Sequence, residues 1–159
     1  MLVKDYMYTD VHTANTENTV AEALKYMKQH KTNSLIITDA ENKPVGIVSS
    51  QILIRAAVPE YLQGDPVYSQ YGPEGTMAES LKKIKDRALG DLMYTEFHTL
   101  TMDDVIIEAA SYSVDSYRRI LPVINDDGTL AGAITRTCIK NAMYDTLFEH
   151  SESNTTTSE

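Results

Sequence analysis

The stretch VKDYMYTDVHT, residues 3–13, returns as LGDLMYTEFHT at residues 89–99. Six of the eleven positions are identical at an offset of 86 residues, and this register runs without a gap to Ala56 and Ala142. A constant offset that keeps identical residues and apolar positions in step indicates a duplicated structural unit. Two such copies normally form one body with approximate twofold symmetry and a cleft between them.

The composition of the chain excludes several classes of protein. Its 159 residues carry a formal net charge of −9, and the surplus of acids is concentrated in residues 89–148. This balance argues against non-specific binding of nucleic acid or of anionic membranes. The single cysteine, Cys138, excludes an intrachain disulfide and a multi-cysteine metal cluster, and it favours a reducing compartment. Because charges begin at Lys4 and no apolar run reaches about 18 residues, we predict a cytoplasmic protein without signal peptide or membrane span.

Each copy has the residue pattern of two helices around two strands. In the first copy, apolar residues recur with helical spacing from Val20 to Met27, and apolar strands at 35–37 and 45–48 flank a turn. A second helix begins near Ser50 and stops before Pro59. The second copy repeats this order and ends with a helix over about 136–148. We therefore predict a mixed α+β or α/β fold, with two helix-strand-strand-helix units packed as a pseudo-twofold pair.

The predicted domain organisation has four parts: a first repeat at 1–58, a connector at 59–88, a second repeat at 89–150 and a disordered tail at 151–159. The tail contains only Ser, Thr, Asn and Glu, which leaves nothing to bury. In the connector, Thr76 and Glu79 have capping-box spacing and begin an apolar stripe at Met77, Leu81, Ile84 and Ala88. This helix either covers the repeats or docks a partner protein.

The repeats resemble a tandem pair of CBS domains, the arrangement called a Bateman module. The family pattern opens with hydrophobic-x-Asp-x-Met, which both quoted stretches contain. It continues with a Leu-Pro-Val strand, matched at 121–123 and less well at 35–37. It closes with Gly-hydrophobic-hydrophobic-Ser/Thr, matched at 46–49 and 132–135. Both copies carry the motifs in the same order, so the resemblance covers the chain apart from the connector and the tail.

The resemblance implies a regulatory protein that is not an enzyme and requires no cofactor. Such modules usually bind AMP, ADP, ATP or S-adenosylmethionine between the repeats, and they often pair as homodimers. At Ser49 and Thr135 a strand passes directly into a helix, so free N–H groups and the positive end of the helix dipole favour a phosphate. The predicted partners are an adenosyl ligand, a second copy of the chain and an unidentified regulated protein.

The implied ligand site has members in both copies: His12, Thr13, Ile36, Ser49, His98, Thr99, Arg119, Pro122, Thr135 and Arg136. Arg119 lies where the resemblance places a phosphate-contacting basic residue, whereas the first copy has Asn33 there. We therefore expect the second copy to bind phosphate more strongly than the first. Ion pairing in the acidic half is the alternative role of Arg118, Arg119 and Arg136.

One position departs from the family in both copies. Three residues after Ser49 and Thr135, nucleotide-binding members carry an acid that holds the ribose diol, but this chain has Ile52 and Cys138. A hydrogen bond to a charged group contributes about 1.5–3 kcal/mol, so its loss weakens a site roughly ten- to hundredfold. The alternative function is therefore a ligand-free CBS-fold interaction or scaffold protein that has lost nucleotide binding.

Three other sets of residues have alternative roles. His12 and His98 could face a common ligand, form a pH-sensitive pair or bind a metal, or they are partly exposed histidines kept by duplication. Cys138 is either a reactive thiol in the first turn of a helix or a core residue. Tyr8 and Tyr94 either stack on a purine or pack in the fold. Because no nucleophile with a base and no metal-ligand array is evident, we predict neither a catalytic nor a metal site.

Overall fold

The computed structural model describes residues 1–64, 67, 70, 74–114 and 119–149. The chain divides into two compact units. The first-repeat unit contains His12–Glu41 and Val45–Glu96, and the second-repeat unit contains Met1–Val11, Asn42–Pro44 and Phe97–Glu159. Each unit therefore includes the opening segment of the other sequence copy. The predicted disordered tail and part of the connector lie outside the described residues.

The chain begins with a short helix, α1 (Val3–Tyr6), which belongs to the second-repeat unit. The first-repeat unit follows with three strands in the order β1-β2-β3, namely β1 (Thr13–Ala14), β2 (Ser34–Thr38) and β3 (Pro44–Ser49). Its helices include α2 (Val20–His30), α3 (Ser50–Ala57) and α4 (Thr76–Ile84), with 3₁₀ turns at Glu60–Leu62 and Leu89–Asp91. Strand β1 runs parallel to β2. The core lies between the sheet and α2, α3 and α4, and includes Val20, Met27, Leu35, Ile37, Leu53 and Ile84.

The second-repeat unit repeats this order. Its strands are β4 (Leu100–Thr101), β5 (Ile120–Ile124) and β6 (Leu130–Thr135), with β4 parallel and β6 antiparallel to β5. The helices α5 (Ile106–Ser113) and α6 (Arg136–Phe148) complete it, and its core includes Val3, Leu100, Ala109, Leu121, Ile134 and Cys138. The prediction of two mixed units with helix-strand-strand-helix order is confirmed. Among the described residues, no helix is both long and apolar enough to cross a membrane.

Local sequence sets most helix boundaries as predicted. The Thr19 hydroxyl accepts a hydrogen bond from the Glu22 amide at 3.2 Å, so it caps α2. Helix α3 ends at Ala57, two residues before Pro59, because the residue before a proline avoids the helical conformation. The predicted helix at about 136–148 is α6, with these bounds.

The connector helix α4 differs in part from its prediction. It begins at Thr76, and the preceding Gly75 is its N-cap with φ +89°, so the prediction that Thr76 caps the helix is wrong by one residue. Met77 is 61% exposed and does not belong to the buried stripe. Leu81 and Ile84 do pack against the core of the first-repeat unit, which supports the interpretation of α4 as a covering helix.

The two opening segments dock in the same way, each on the unit of the other copy. The Val3 and Lys4 amides donate to the carbonyls of Asp104 and Met102 at 2.8 and 3.0 Å, respectively. Leu89 and Gly90 donate at 2.8 and 2.9 Å to the carbonyls of residues 18 and 16, which are the repeat equivalents of those acceptors. Each segment then forms an antiparallel bridge to the last strand of its unit, Tyr8 with Ala133 and Tyr94 with Ile47. The duplicated motif is therefore the element that completes each unit.

Candidate functional site

The two strand-to-helix junctions, β3 to α3 and β6 to α6, have the same backbone order but different hydroxyl contacts. Ser49 is the N-cap of α3, and its Oγ accepts a hydrogen bond from the Ile52 amide at 3.3 Å. Thr135 occupies the N-cap position of α6 without a side-chain capping bond, and its Oγ1 lies 3.5 Å from Cys138 Sγ. At Thr135 the amides of the first helical turn are therefore not capped by the hydroxyl.

The sheet register of the second-repeat unit brings several predicted residues to one end of the sheet. Ile120 pairs with Thr135, the last residue of β6, so Arg119 lies just beyond the end of that strand. Leu100 pairs with Val123 in the parallel ladder, which places Thr99 level with Pro122. Pro122 is fully buried, whereas Thr99 and Arg119 are exposed. This end of the sheet therefore combines a hydroxyl, a cation and a helix N-terminus, a combination that suits an anion.

The equivalent end of the first-repeat unit has no cation at the position of Arg119. Thr13 pairs with Ile36 in the parallel ladder, and the His12 carbonyl accepts a hydrogen bond from the Ile36 amide at 3.0 Å. Asn33 replaces the arginine, and its carbonyl accepts from the Ser50 amide at 2.9 Å. This contact uses one of the first N–H groups of α3.

The other predicted arginine has a structural contact. Arg136 Nη2 donates to the Ser113 carbonyl at 3.2 Å, which places the guanidinium at the carboxyl end of α5. Cations are stabilised at helix carboxyl ends, so this contact holds α5 and α6 together. The role of Arg136 in ligand binding stays a prediction, and Arg118 lies outside the described residues.

The two positions that carry the ribose-binding acid in the family pattern hold apolar residues, and the structure shows that both are at least partly buried. Ile52 is partly buried, and Cys138 is 8% exposed within the core of the second-repeat unit. The interpretation of Cys138 as a core residue is therefore confirmed. Any adenosyl ligand must be held without a carboxylate at these positions.

Both predicted histidines lie against a tyrosine that sequence reasoning did not connect to them. His12 Nδ1 is 2.9 Å from the Tyr26 hydroxyl, and Tyr26 in turn stacks on His30 with ring centroids 4.1 Å apart. His98 stacks flat on Tyr112, with centroids 4.2 Å apart and planes at 4°. The described residues contain no group of three His, Cys, Asp or Glu side chains that could hold a metal ion. Tyrosine recurs 14 residues after the histidine in both copies, a pattern in the sequence that could have identified these pairs.

Tyr8 belongs to the fold of the second-repeat unit. Its backbone pairs with Ala133, and its side chain packs against the core. Burial, with a smaller contribution from Cys138, raises the pKa of the Tyr8 phenol to about 12. This placement supports packing over purine stacking as the role of Tyr8.

Comparison with known proteins identifies the duplicated motif. The family model for the CBS domain matches residues 3–59 and again residues 89–145. A relative from Acidianus ambivalens, described as an uncharacterized 17.7 kDa protein, is 26% identical over 137 residues, which cover 86% of this chain and 70% of the relative.

Solved structures show the same fold. The CBS-pair protein CBSX2 from Arabidopsis thaliana is 22% identical and superposes with a TM-score of 0.75 over 92% of this chain and 96% of its own. A second structure of CBSX2, in complex with AMP, has a TM-score of 0.69 and covers 92% of this chain and 98% of its own at 22% identity. The CBS domain pair of protein MJ0100, in complex with 5′-methylthioadenosine and S-adenosyl-L-methionine, is 21% identical with a TM-score of 0.67, over 92% and 98% of the two chains.

Proposed function

The chain belongs to the CBS-domain family, and we propose that it is a non-catalytic regulatory module that binds an adenosine-containing ligand at its strand-to-helix junctions. The observation that carries this proposal is the junction itself, built twice with a hydroxyl residue, Ser49 or Thr135, at the start of a helix. Helix N-termini of this kind bind phosphate groups. AMP in CBSX2 and S-adenosyl-L-methionine in MJ0100 support an adenosine-containing compound as the class of ligand.

The junction at Thr135 is the preferred phosphate site of this proposal. Arg119 adds a positive charge at the same end of the sheet, and the Thr135 hydroxyl does not cap its helix. At the other junction Asn33 provides no charge, and the Ser49 hydroxyl caps α3. A hydrogen bond to a charged group contributes about 1.5–3 kcal/mol, so we expect AMP to bind the second-repeat unit at least tenfold more tightly.

We further propose that the protein acts in the cytoplasm as a homodimer that transmits ligand binding to a regulated partner. The support for a dimer is an exposed apolar surface on α6, where Met143, Tyr144, Leu147 and Phe148 are all more than half exposed. These residues lie within about one helical turn of each other, and contiguous apolar patches of this kind mark interaction sites. Light scattering tests the dimer: Leu147→Asp should yield a monomer, and a wild-type monomer would contradict the proposal.

The alternative function is a scaffold with the CBS fold and no ligand. It is favoured by Ile52 and by the burial of Cys138, because neither residue can hold a ribose diol. The two functions differ in one measurable respect. A scaffold keeps its partner binding when both junction hydroxyls are removed in a Ser49→Ala, Thr135→Ala double variant.

A calorimetric titration tests ligand binding directly. We expect heat with AMP, ADP, ATP or S-adenosylmethionine, and a rise in melting temperature because the ligand binds only the folded state. Arg119→Ala should weaken AMP binding about tenfold or more, whereas Asn33→Ala, the matched change in the first-repeat unit, should leave the tighter site unchanged. Absence of heat with every ligand at millimolar concentration would favour the scaffold.

A further inference from the structure

A separate cavity lies between β1 and α2, within the first-repeat unit. Its volume is about 200 Å³, and seven residues line it: Thr13, Ala14, Asn18, Glu22, Ala23, Tyr26 and Leu35. At roughly 30 Å³ per water in the liquid, this space holds on the order of six or seven non-hydrogen atoms. The cavity therefore fits a molecule much smaller than a nucleotide.

The walls of the cavity combine an apolar floor with one charge. Ala23 and Leu35 are core residues at its base, and the partly buried Ala14 and Tyr26 add apolar surface on which a short alkyl group can pack. Glu22 is the only charged residue among those that line the cavity. The Asn18 amide donates to Glu22 Oε2 at 2.6 Å and holds the carboxylate in place. A carboxylate has about four acceptor positions, so Glu22 keeps the capacity to bind a cation.

Two more oxygen atoms belong to side chains that line the same cavity. When the His12 ring carries its proton on Nε2, its Nδ1 accepts from the Tyr26 hydroxyl at 2.9 Å, and the phenol oxygen remains an acceptor. The stack of Tyr26 on His30 fixes the orientation of the phenol ring. Thr13 supplies the third oxygen. An alkylammonium group has three N–H donors and no acceptor, so it matches these three oxygens.

We propose that this cavity binds a small primary amine in its ammonium form, with the ammonium group on Glu22, Tyr26 and Thr13 and a short alkyl chain on the apolar floor. Thr13 also belongs to the ligand site that the family resemblance implies, whereas the other six residues that line the cavity do not. The amine proposal does not depend on nucleotide binding, because Glu22, which supplies the charge, lies outside both strand-to-helix junctions.

The second repeat provides a matched control. Its equivalent of Glu22 is Glu108, and there the Tyr112 hydroxyl donates to Glu108 Oε1 at 3.1 Å while its ring stacks on His98. The equivalent of Asn18 is Asp104, which as a carboxylate has no amide to hold Glu108. In this unit the phenol itself binds the carboxylate, so we assign the amine site to the first-repeat unit alone.

The experiment is a ¹H–¹⁵N and ¹H–¹³C NMR titration of the full chain with n-butylammonium chloride, in parallel with sodium butyrate and 1-butanol. Concentrations up to about 100 mM lie well above a millimolar dissociation constant. We expect saturable shifts at Thr13, Glu22 and Tyr26 with the amine, and much weaker effects with the anion and the alcohol. Glu22→Gln should weaken amine binding about tenfold or more, because it removes the charge and keeps the shape.

Two further variants complete the test. Glu108→Gln should leave the amine titration unchanged, and Tyr26→Phe should weaken it severalfold because the ring stays while one acceptor is lost. The spectrum of each variant also shows whether it is folded. The proposal is overturned if the amine causes no saturable shift, if 1-butanol shifts the same residues equally, or if folded Glu22→Gln and Tyr26→Phe both bind the amine as well as the wild type does.

Discussion

The first-repeat unit and the second-repeat unit have the same backbone arrangement but differ in the side chains at their strand-to-helix junctions. In both, an opening segment from the other copy is held by the same backbone contacts, such as Val3 to Asp104 and Leu89 to Asn18. The junctions differ, because Ser49 caps its helix whereas Thr135 contacts Cys138. Duplication therefore preserved the contacts that build the fold, whereas the side chains at the strand-to-helix junctions diverged.

The largest expected effect concerns the opening segments. Val3 and Leu89 are both fully buried, each in the core of the unit that holds its segment. We expect Leu89→Ala to lower the free energy of unfolding by about 3 kcal/mol and Val3→Ala by about 2 kcal/mol, since the smaller side chain leaves the smaller cavity. Urea denaturation measures both. A negligible effect of either variant would show that its segment is not part of a core.

The two repeat-related glycines come next, because they test how rigid each docking contact is. A Cβ on Gly132 would lie 2.6 Å from the Tyr8 carbonyl oxygen, a backbone atom. A Cβ on Gly46 would clash chiefly with Met93 Sδ and Cγ, which can rotate away, and would lie 2.9 Å from Met93 Cβ, which moves only with its backbone. We expect Gly132→Ala to cost about 2 kcal/mol and Gly46→Ala about 1 kcal/mol, because overpacking costs more where the neighbour cannot move. Equal losses in thermal or urea unfolding would contradict this ranking.

The junction hydroxyls should show a smaller difference in stability. Ser49→Ala removes the acceptor that binds the Ile52 amide, and the loss of an N-cap side chain costs about 1 kcal/mol. Thr135→Ala removes no such capping bond, so we expect a loss below about 0.5 kcal/mol. Denaturation without ligand separates the two. A larger loss for Thr135→Ala would mean that its hydroxyl is structural and would weaken its assignment to a ligand.

The smallest effect is confined to alkaline solution. Burial raises the pKa of Tyr8 to about 12, above the value near 10 of an unfolded tyrosine. The contribution of the protonated phenol to stability is therefore fully present below pH 10 and is lost as pH rises toward about 12. We expect Tyr8→Phe to reduce the loss of stability between about pH 10 and pH 12 and to leave its pH dependence near neutrality unchanged. Parallel pH profiles of the two proteins that never diverge would contradict the burial of this phenol.

Much of the fold could be predicted from the sequence because its determinants are local or repeated. The proline at 59 and the threonine at 19 set helix ends through their own backbone chemistry. The constant offset gave the order of elements in the second copy. The crossed docking of the opening segments could not be predicted, because a motif near the start of each copy gives no indication of which sheet it will join. Gly75 as the N-cap of α4 was missed because Thr76 fits the capping pattern equally well.

The sequence predicts which types of residue belong to the candidate site, but it does not predict which contacts their side chains make. The junction hydroxyls and the contrast between Arg119 and Asn33 follow from the repeat alignment. The contact of Arg136 with the Ser113 carbonyl depends on how α5 and α6 pack, which no local pattern encodes. The same holds for Tyr26 and Tyr112, which occupy equivalent positions but bind different side chains, His12 and Glu108, respectively. In the first copy the Asn18 side chain binds Glu22, whereas the equivalent residue in the second copy is Asp104.

The most direct test of the account is an NMR titration of the full chain with AMP, followed through the backbone amides. We predict that the amides of Ile120 and of Arg136 to Cys138 shift at lower AMP concentration than those of Ser50 to Leu53. The reason is that the second-repeat unit has both the Arg119 cation and the Thr135 hydroxyl, which makes no capping bond. Arg119→Ala should abolish this order. Shifts that appear first at Ser50 to Leu53, or no shifts at either junction, would contradict the proposal that the second-repeat junction is the ligand site.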